Sequence, residues 1–119
     1  MKVFFKSAWG SDESTKACFV FLHANAFAEA GHQVRIFLLG EAVNLMKDEL
    51  IRSVTPVGWP PLSEIMRRTI GHKIEISVST ACSRARAVRD TDLVGKNARF
   101  VTPPDLVALV EWADKVVSE

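Results

Sequence analysis

The residues best suited to chemistry lie in one stretch, Ser79-Thr80-Ala81-Cys82-Ser83-Arg84-Ala85-Arg86. A cysteine thiolate attacks sulfur, disulfides and peroxides. The spacing puts Cys82 in the first turn of a helix that directly follows a strand. Unpaired backbone N–H groups and the helix dipole favour the thiolate there. Arg86 and Arg89, four and seven residues on, are expected to share its helical face and add positive charge. Arg84 is a further cation for an anion at the thiol, and Ser79 with backbone N–H groups would hold it. A plainer reading of the same residues makes Cys82 a small buried side chain packing the end of the strand. The other cysteine, Cys18, falls in the most apolar helix, where a desolvated thiol is inert. Nothing in the sequence supports a disulfide between the two.

Other reactive residues are scattered. His32 and His72 each follow a glycine and read as turn residues, and His23 lies on the first helix. No Cys–His dyad can be built from their spacing. No Cys/His grouping has zinc-finger spacing, and no glycine-rich loop marks a phosphate site. Gly10, near the start of the first helix, is only a weak anion signal. Asp90 and Asp92 flank Thr91 in what reads as a solvated turn. Trp9 and Trp59 fall in loops, where simple packing is the default. No metal or cofactor is expected.

The elements that must position Cys82 follow from hydrophobic pattern and punctuation. Val3-Phe4-Phe5, bounded by lysines, reads as a buried first strand. A first helix runs from about Glu13 to Ala30, capped by Ser11 or Asp12 and stopped by Gly31. Its centre, Ala17 to Leu22, is apolar on every side, which predicts a cover on both sides, the second being another subunit. Gln33 to Leu39 is the second strand and Glu41 to Met46 a helical turn. From Lys47 to Pro61 the pattern is poor, and Thr55 to Pro61 is a loop that folds over a neighbouring site or subunit. Leu62, Ile65, Met66, Thr69 and Ile70 have helical spacing, with Pro61 at the first position and Gly71 at the end. Ile74, Ile76 and Val78 form the third strand, and a helix from about Ala81 to Val88 follows. Arg99-Phe100-Val101 is the fourth strand. Thr102-Pro103-Pro104-Asp105 starts a last helix with Leu106, Val107, Leu109, Val110 and Ala113 as its buried face. Lys115 to Ser118 is the fifth strand.

Five alternations of strand and helix predict right-handed crossovers and a parallel sheet between helical layers, a three-layer α/β/α sandwich. Ligand sites in such sheets lie beyond the carboxyl ends of the strands. The loops Ser7–Asp12, Gly40–Asn44 and Ser79–Arg86 leave those ends. With 119 residues and 48% hydrophobic residues, the chain is one domain, 1–119, with a real core. A net charge of +1 gives no electrostatic argument for nucleic acid or an anionic membrane. Met1-Lys2-Val3-Phe4-Phe5-Lys6 is no signal peptide, and the longest strongly apolar run is far too short to span a bilayer. A cytoplasmic protein with reduced thiols is expected.

The order of elements resembles the DsrE/DsrF-like family of small sulfur-relay proteins. The likeness covers nearly the whole chain. It includes the N-terminal strand, the Gly10-then-long-helix segment, the Ala30-Gly31-His32-Gln33-Val34 turn, the Ile74–Cys82 segment and the closing helix and strand. The resemblance implies a five-stranded parallel sheet between helices, and homo- or hetero-oligomers, trimers and hexamers among them. It also implies sulfur carried as a persulfide on a cysteine after a central strand. In many members that strand ends in cysteine, sometimes with a second cysteine three residues on, then an Arg-Gly pair. Here the positions read Ser79, Cys82, Arg86 and Ala87.

Two functions are therefore expected, with different tests. In the first, Cys82 accepts sulfur from a persulfide donor protein and passes it to an acceptor, as a sulfurtransferase-like carrier. In the second, the chain is a non-catalytic module that assembles with itself and binds a small anion or a protein partner. A thiol peroxidase or redox sensor is weaker, because no resolving cysteine is evident.

Overall fold

The computed structural model describes residues 1–119. Five strands, β1 (Lys2–Ser7), β2 (Gln33–Leu38), β3 (Glu75–Ser79), β4 (Ala98–Val101) and β5 (Lys115–Ser118), form one sheet in the order β4-β3-β2-β1-β5. All four pairings are parallel, with Phe5 opposite Ile36, Ile36 opposite Ile76, and Ile76 opposite Ala98. The central strands are continuous apolar runs because both faces are covered; Val3, Phe4 and Phe5 are all fully buried.

The helices are α1 (Ser14–Glu29), α2 (Asp48–Ser53), α3 (Leu62–Gly71), α4 (Thr80–Ala85), α5 (Asp90–Leu93) and α6 (Pro103–Trp112). Their distribution follows from crossover handedness. The steps β1 to β2, β2 to β3 and β3 to β4 all move the same way across the sheet, so right-handed crossovers put α1 to α5 on one face. The return from β4 to β5 runs the other way and leaves α6 alone on the opposite face. The core is correspondingly lopsided. A cluster of 24 buried residues, with Phe5, Phe21, Ile36, Leu62 and Ile76 among them, fills the five-helix side. Phe4, Phe37, Val101 and Leu109 make up the buried core on the other side.

Several expectations are corrected here. Within the one chain Ala17, Cys18, Val20 and Phe21 of α1 are each fully buried, while Phe19 and Leu22 are only partly covered. This helix packs on β1 and β2 and against α3. Ser11 and Asp12 do not cap α1; they belong to a 3₁₀ turn, where the Asp12 carboxylate accepts from Gly10 N–H at 3.2 Å. Of the expected buried face of α6 only Leu109 is buried, and Val107 and Val110 are 57% and 48% exposed, because a lone helix covers a sheet face only along one stripe. The unpatterned stretch after Met46 contains α2, and the Asp90–Asp92 turn is the helix α5. Both are one or two turns long, too short for periodicity to register. The loop from Thr55 to Pro61 lies against α1, with Val57 N–H donating to Thr15 Oγ1 at 3.2 Å.

Candidate functional site

The loops after β1, β2 and β3 meet at the carboxyl edge of the sheet. Gly10 abuts the turn after β2 so closely that a Cβ there would stand 2.4 Å from the Glu41 carbonyl oxygen. Gly40 in turn lies against Ala8. Glycine at position 10 is therefore a steric necessity, and it brings the 3₁₀ helix Gly40–Met46 beside α4. Cys82 sits at this junction.

Ser79 ends β3 and caps α4: its Oγ accepts from the Cys82 N–H at 3.4 Å. The same hydroxyl is the foremost cause that lowers the Cys82 pKa from the ordinary thiol range. Partial burial acts against it, and the Gly40 N–H, the Arg86 charge and the cysteine's own N–H add to the lowering. Cys82 is half-buried and free, at the mouth of the junction. Cys18 is fully buried, and burial pushes its pKa up to about 11. The structure thus separates a partly exposed thiol of lowered pKa from a buried one of raised pKa.

The candidate cations divide. Arg86 stays beside Cys82: it donates to the Cys82 carbonyl at 3.2 Å and grips Glu41 through Nε and a terminal nitrogen, both at 2.8 Å. The Glu41 carboxylate thus pairs the guanidinium that stands beside the thiol. Lys47 Nζ holds the Arg86 carbonyl at 2.8 Å. Arg84 is not among the groups acting on Cys82; it lines a cavity on the other flank of α4. Arg89 does not share the Cys82 face either, because α4 ends at Ala85 and the chain turns back. That turn is a Schellman closure, with Val88 N–H donating to the Ser83 carbonyl at 3.0 Å and Ala87 at a φ of +56°. A left-handed residue there accounts for the glycine expected at position 87 from the family pattern.

The histidines are engaged elsewhere. His23 meets Glu119, His72 meets Glu29, and His32 meets the N-terminal amine. No three His, Cys, Asp or Glu side chains come together as a metal ion requires. Asp92 Oδ2 accepts the Arg89 N–H at 2.8 Å. Trp59 lines a groove with Leu22, His23 and Ala26, and Trp9 lies under the Lys16 ammonium. Gly40 and Glu41 were not singled out in the sequence as partners of Cys82. Their only local signal is a Gly-Glu pair at a strand end, and the contact depends on which strands are neighbours.

Comparison with known proteins adds three findings. The model of the DsrE/DsrF-like family matches residues 1–118. No curated protein matches the chain in sequence. Among solved structures, the ychN protein from E. coli superposes with a TM-score of 0.80 at 17% identity, over 100% of this chain and 99% of that one. A conserved protein of unknown function from Bacteroides thetaiotaomicron superposes with a TM-score of 0.70 at 15% identity, over 99% and 94%. At such identities the two structures share the fold, and a common activity does not follow.

Proposed function

Since the chain belongs to the DsrE/DsrF-like family, we propose that it relays sulfur, with Cys82 as the carrying residue. The observation that carries this reading is the contrast between the two thiols. Cys82 is half-buried, its pKa is lowered, and it stands where three strand-end loops meet; Cys18 is sealed in the core. The Cys82 thiolate attacks the outer sulfur of a donor persulfide, R–S–SH. A new sulfur–sulfur bond forms as the donor's own bond breaks, giving Cys82–S–SH and the donor thiolate R–S⁻. The step needs no outside oxidant or reductant. The Ser79 hydroxyl and the Gly40 N–H hold the anionic sulfur, and Arg86 supports the turn on which Cys82 sits. Transfer to an acceptor thiol repeats the exchange in reverse.

The test is intact mass after reduced protein is treated with a persulfide or polysulfide donor. Sulfur adducts that reductant removes, present in Cys18→Ser and missing in Cys82→Ser, are the expected result. An adduct that persists in Cys82→Ser, or none in the wild type, rejects the carrier role. Ser79 at the place of a cysteine is the observation that favours a second reading, a non-catalytic binding module. That reading wins if wild type takes up no sulfur and Cys82→Ser keeps its stability and ligand binding.

A further inference from the structure

A cavity of about 580 Å³ opens on the flank of α4 that faces away from Cys82. Its volume lies within the ~300–1,000 Å³ of small-molecule sites. Topology marks the place. The connection leaving β3 runs over one face of the sheet and the one leaving β4 over the other, so a crevice opens between the carboxyl ends of these neighbouring strands. Thr80, first residue after β3, and Phe100, on β4, line the cavity from these two ends.

Two cations stand at its rim. Arg84 and Arg89 both border the cavity, and neither guanidinium has an ion-pair or hydrogen-bond partner, a state they share with Arg52, Arg67 and Arg99, whereas Arg35, Arg68 and Arg86 are paired. Ser83, also in the lining, is 1% exposed, and its Oγ has no hydrogen-bond partner. A buried hydroxyl left without a partner costs about 1–3 kcal/mol, and this one is sealed behind the wall, out of a ligand's reach. Asp90 adds one carboxylate without an ion-pair partner, Thr91 a hydroxyl, and Val88 with Phe100 an apolar wall.

We propose that this crevice is a binding site for a small phosphorylated molecule that carries hydroxyl groups. Two guanidiniums suit a tetrahedral dianion, which accepts several charge-assisted hydrogen bonds at once. The cavity is far larger than a bare phosphate, so the remainder of the ligand lies along Phe100. Asp90 repels the anion and accepts from hydroxyls, which favours a phosphorylated polyol over an all-anionic ligand. The site is separate from Cys82 and does not depend on sulfur transfer there.

Ribose 5-phosphate is the probe, titrated at low ionic strength by calorimetry, with ribose and inorganic phosphate as comparators. The expected result is saturable one-to-one binding, tighter than that of either comparator. Arg84→Gln and Arg89→Gln should each weaken it about tenfold or more. Both residues are exposed, so neither change threatens the fold. Asp90→Asn should weaken ribose 5-phosphate while leaving or improving inorganic phosphate. Ser83→Ala should leave ribose 5-phosphate binding unchanged and raise the melting temperature of the free protein, since an unpartnered hydroxyl is removed. Absence of saturable binding, or equal binding by wild type and both arginine variants, overturns the proposal. Inorganic phosphate binding as tightly as ribose 5-phosphate overturns the polyol assignment.

Discussion

At the scale of single residues, the two cysteines make opposite predictions with pH. Cys82 ionises below the ordinary thiol range, chiefly through the Ser79 hydroxyl. Ser79→Ala should therefore move the midpoint of the pH–alkylation profile of Cys82 upward and slow its labelling at neutral pH. An unmoved midpoint would mean that Ser79 only caps α4, a role worth about 1 kcal/mol. Cys18 keeps its proton in the fold up to about pH 11, whereas in the unfolded chain it loses it at about 8.5. Between those values the folded state binds the extra proton, so stability falls as pH rises, with a limiting slope of about 1.4 kcal/mol per pH unit. Denaturant titrations from pH 8 to 11 should show this loss in the wild type and a shallower one in Cys18→Ala. Parallel curves for the two proteins would remove Cys18 as the cause.

At the scale of elements, α4 is only six residues long, yet it presents different chemistry on its two flanks. Cys82 and Arg86 face the turn after β2, and Ser83 and Arg84 face the crevice beside β4. The Schellman closure after Ala85 sets where both flanks end, and it holds a non-glycine residue in the left-handed region at Ala87. Left-handed backbone costs an L-residue ~1–2 kcal/mol, and glycine gives back ~0.5–1 through its larger unfolded entropy. Ala87→Gly should therefore stabilise the protein by about 0.5–1 kcal/mol in urea unfolding. Destabilisation by that change would show that Ala87 makes a packing contact that outweighs the strain relief.

At the scale of the whole molecule, the order β4-β3-β2-β1-β5 divides the core unevenly between the two sheet faces. Phe21 belongs to the 24-residue cluster and Leu109 to the cluster of four. Phe21→Ala should cost ~3–5 kcal/mol, near the limit of a domain this size, while Leu109→Ala should fall at or below ~2 kcal/mol because its surroundings are half open to water and can relax. Equal losses in urea unfolding would contradict the asymmetry. No helix is long and apolar enough to cross a membrane.

The sequence by itself determined the alternation of strands and helices, the parallel sheet, the inert Cys18 and the placing of Cys82 at a strand–helix junction. These depend on local pattern: continuous apolar runs for strands buried on both faces, glycine and proline at the stops, and a capping box at Thr102. The short helices α2 and α5 stayed hidden because one turn carries no period. Only the tertiary structure decided which groups meet. Strand order brings Gly40 and Glu41 to Cys82 across some forty residues of chain, and it sends Arg84 and Arg89 to a different crevice. A helix that ends three residues earlier than its pattern suggests rotates everything after it, so the expected Arg89 face was lost. Side-chain chemistry was thus legible in the sequence, whereas its grouping was set by crossover handedness and by one early helix end, neither of which local spacing encodes.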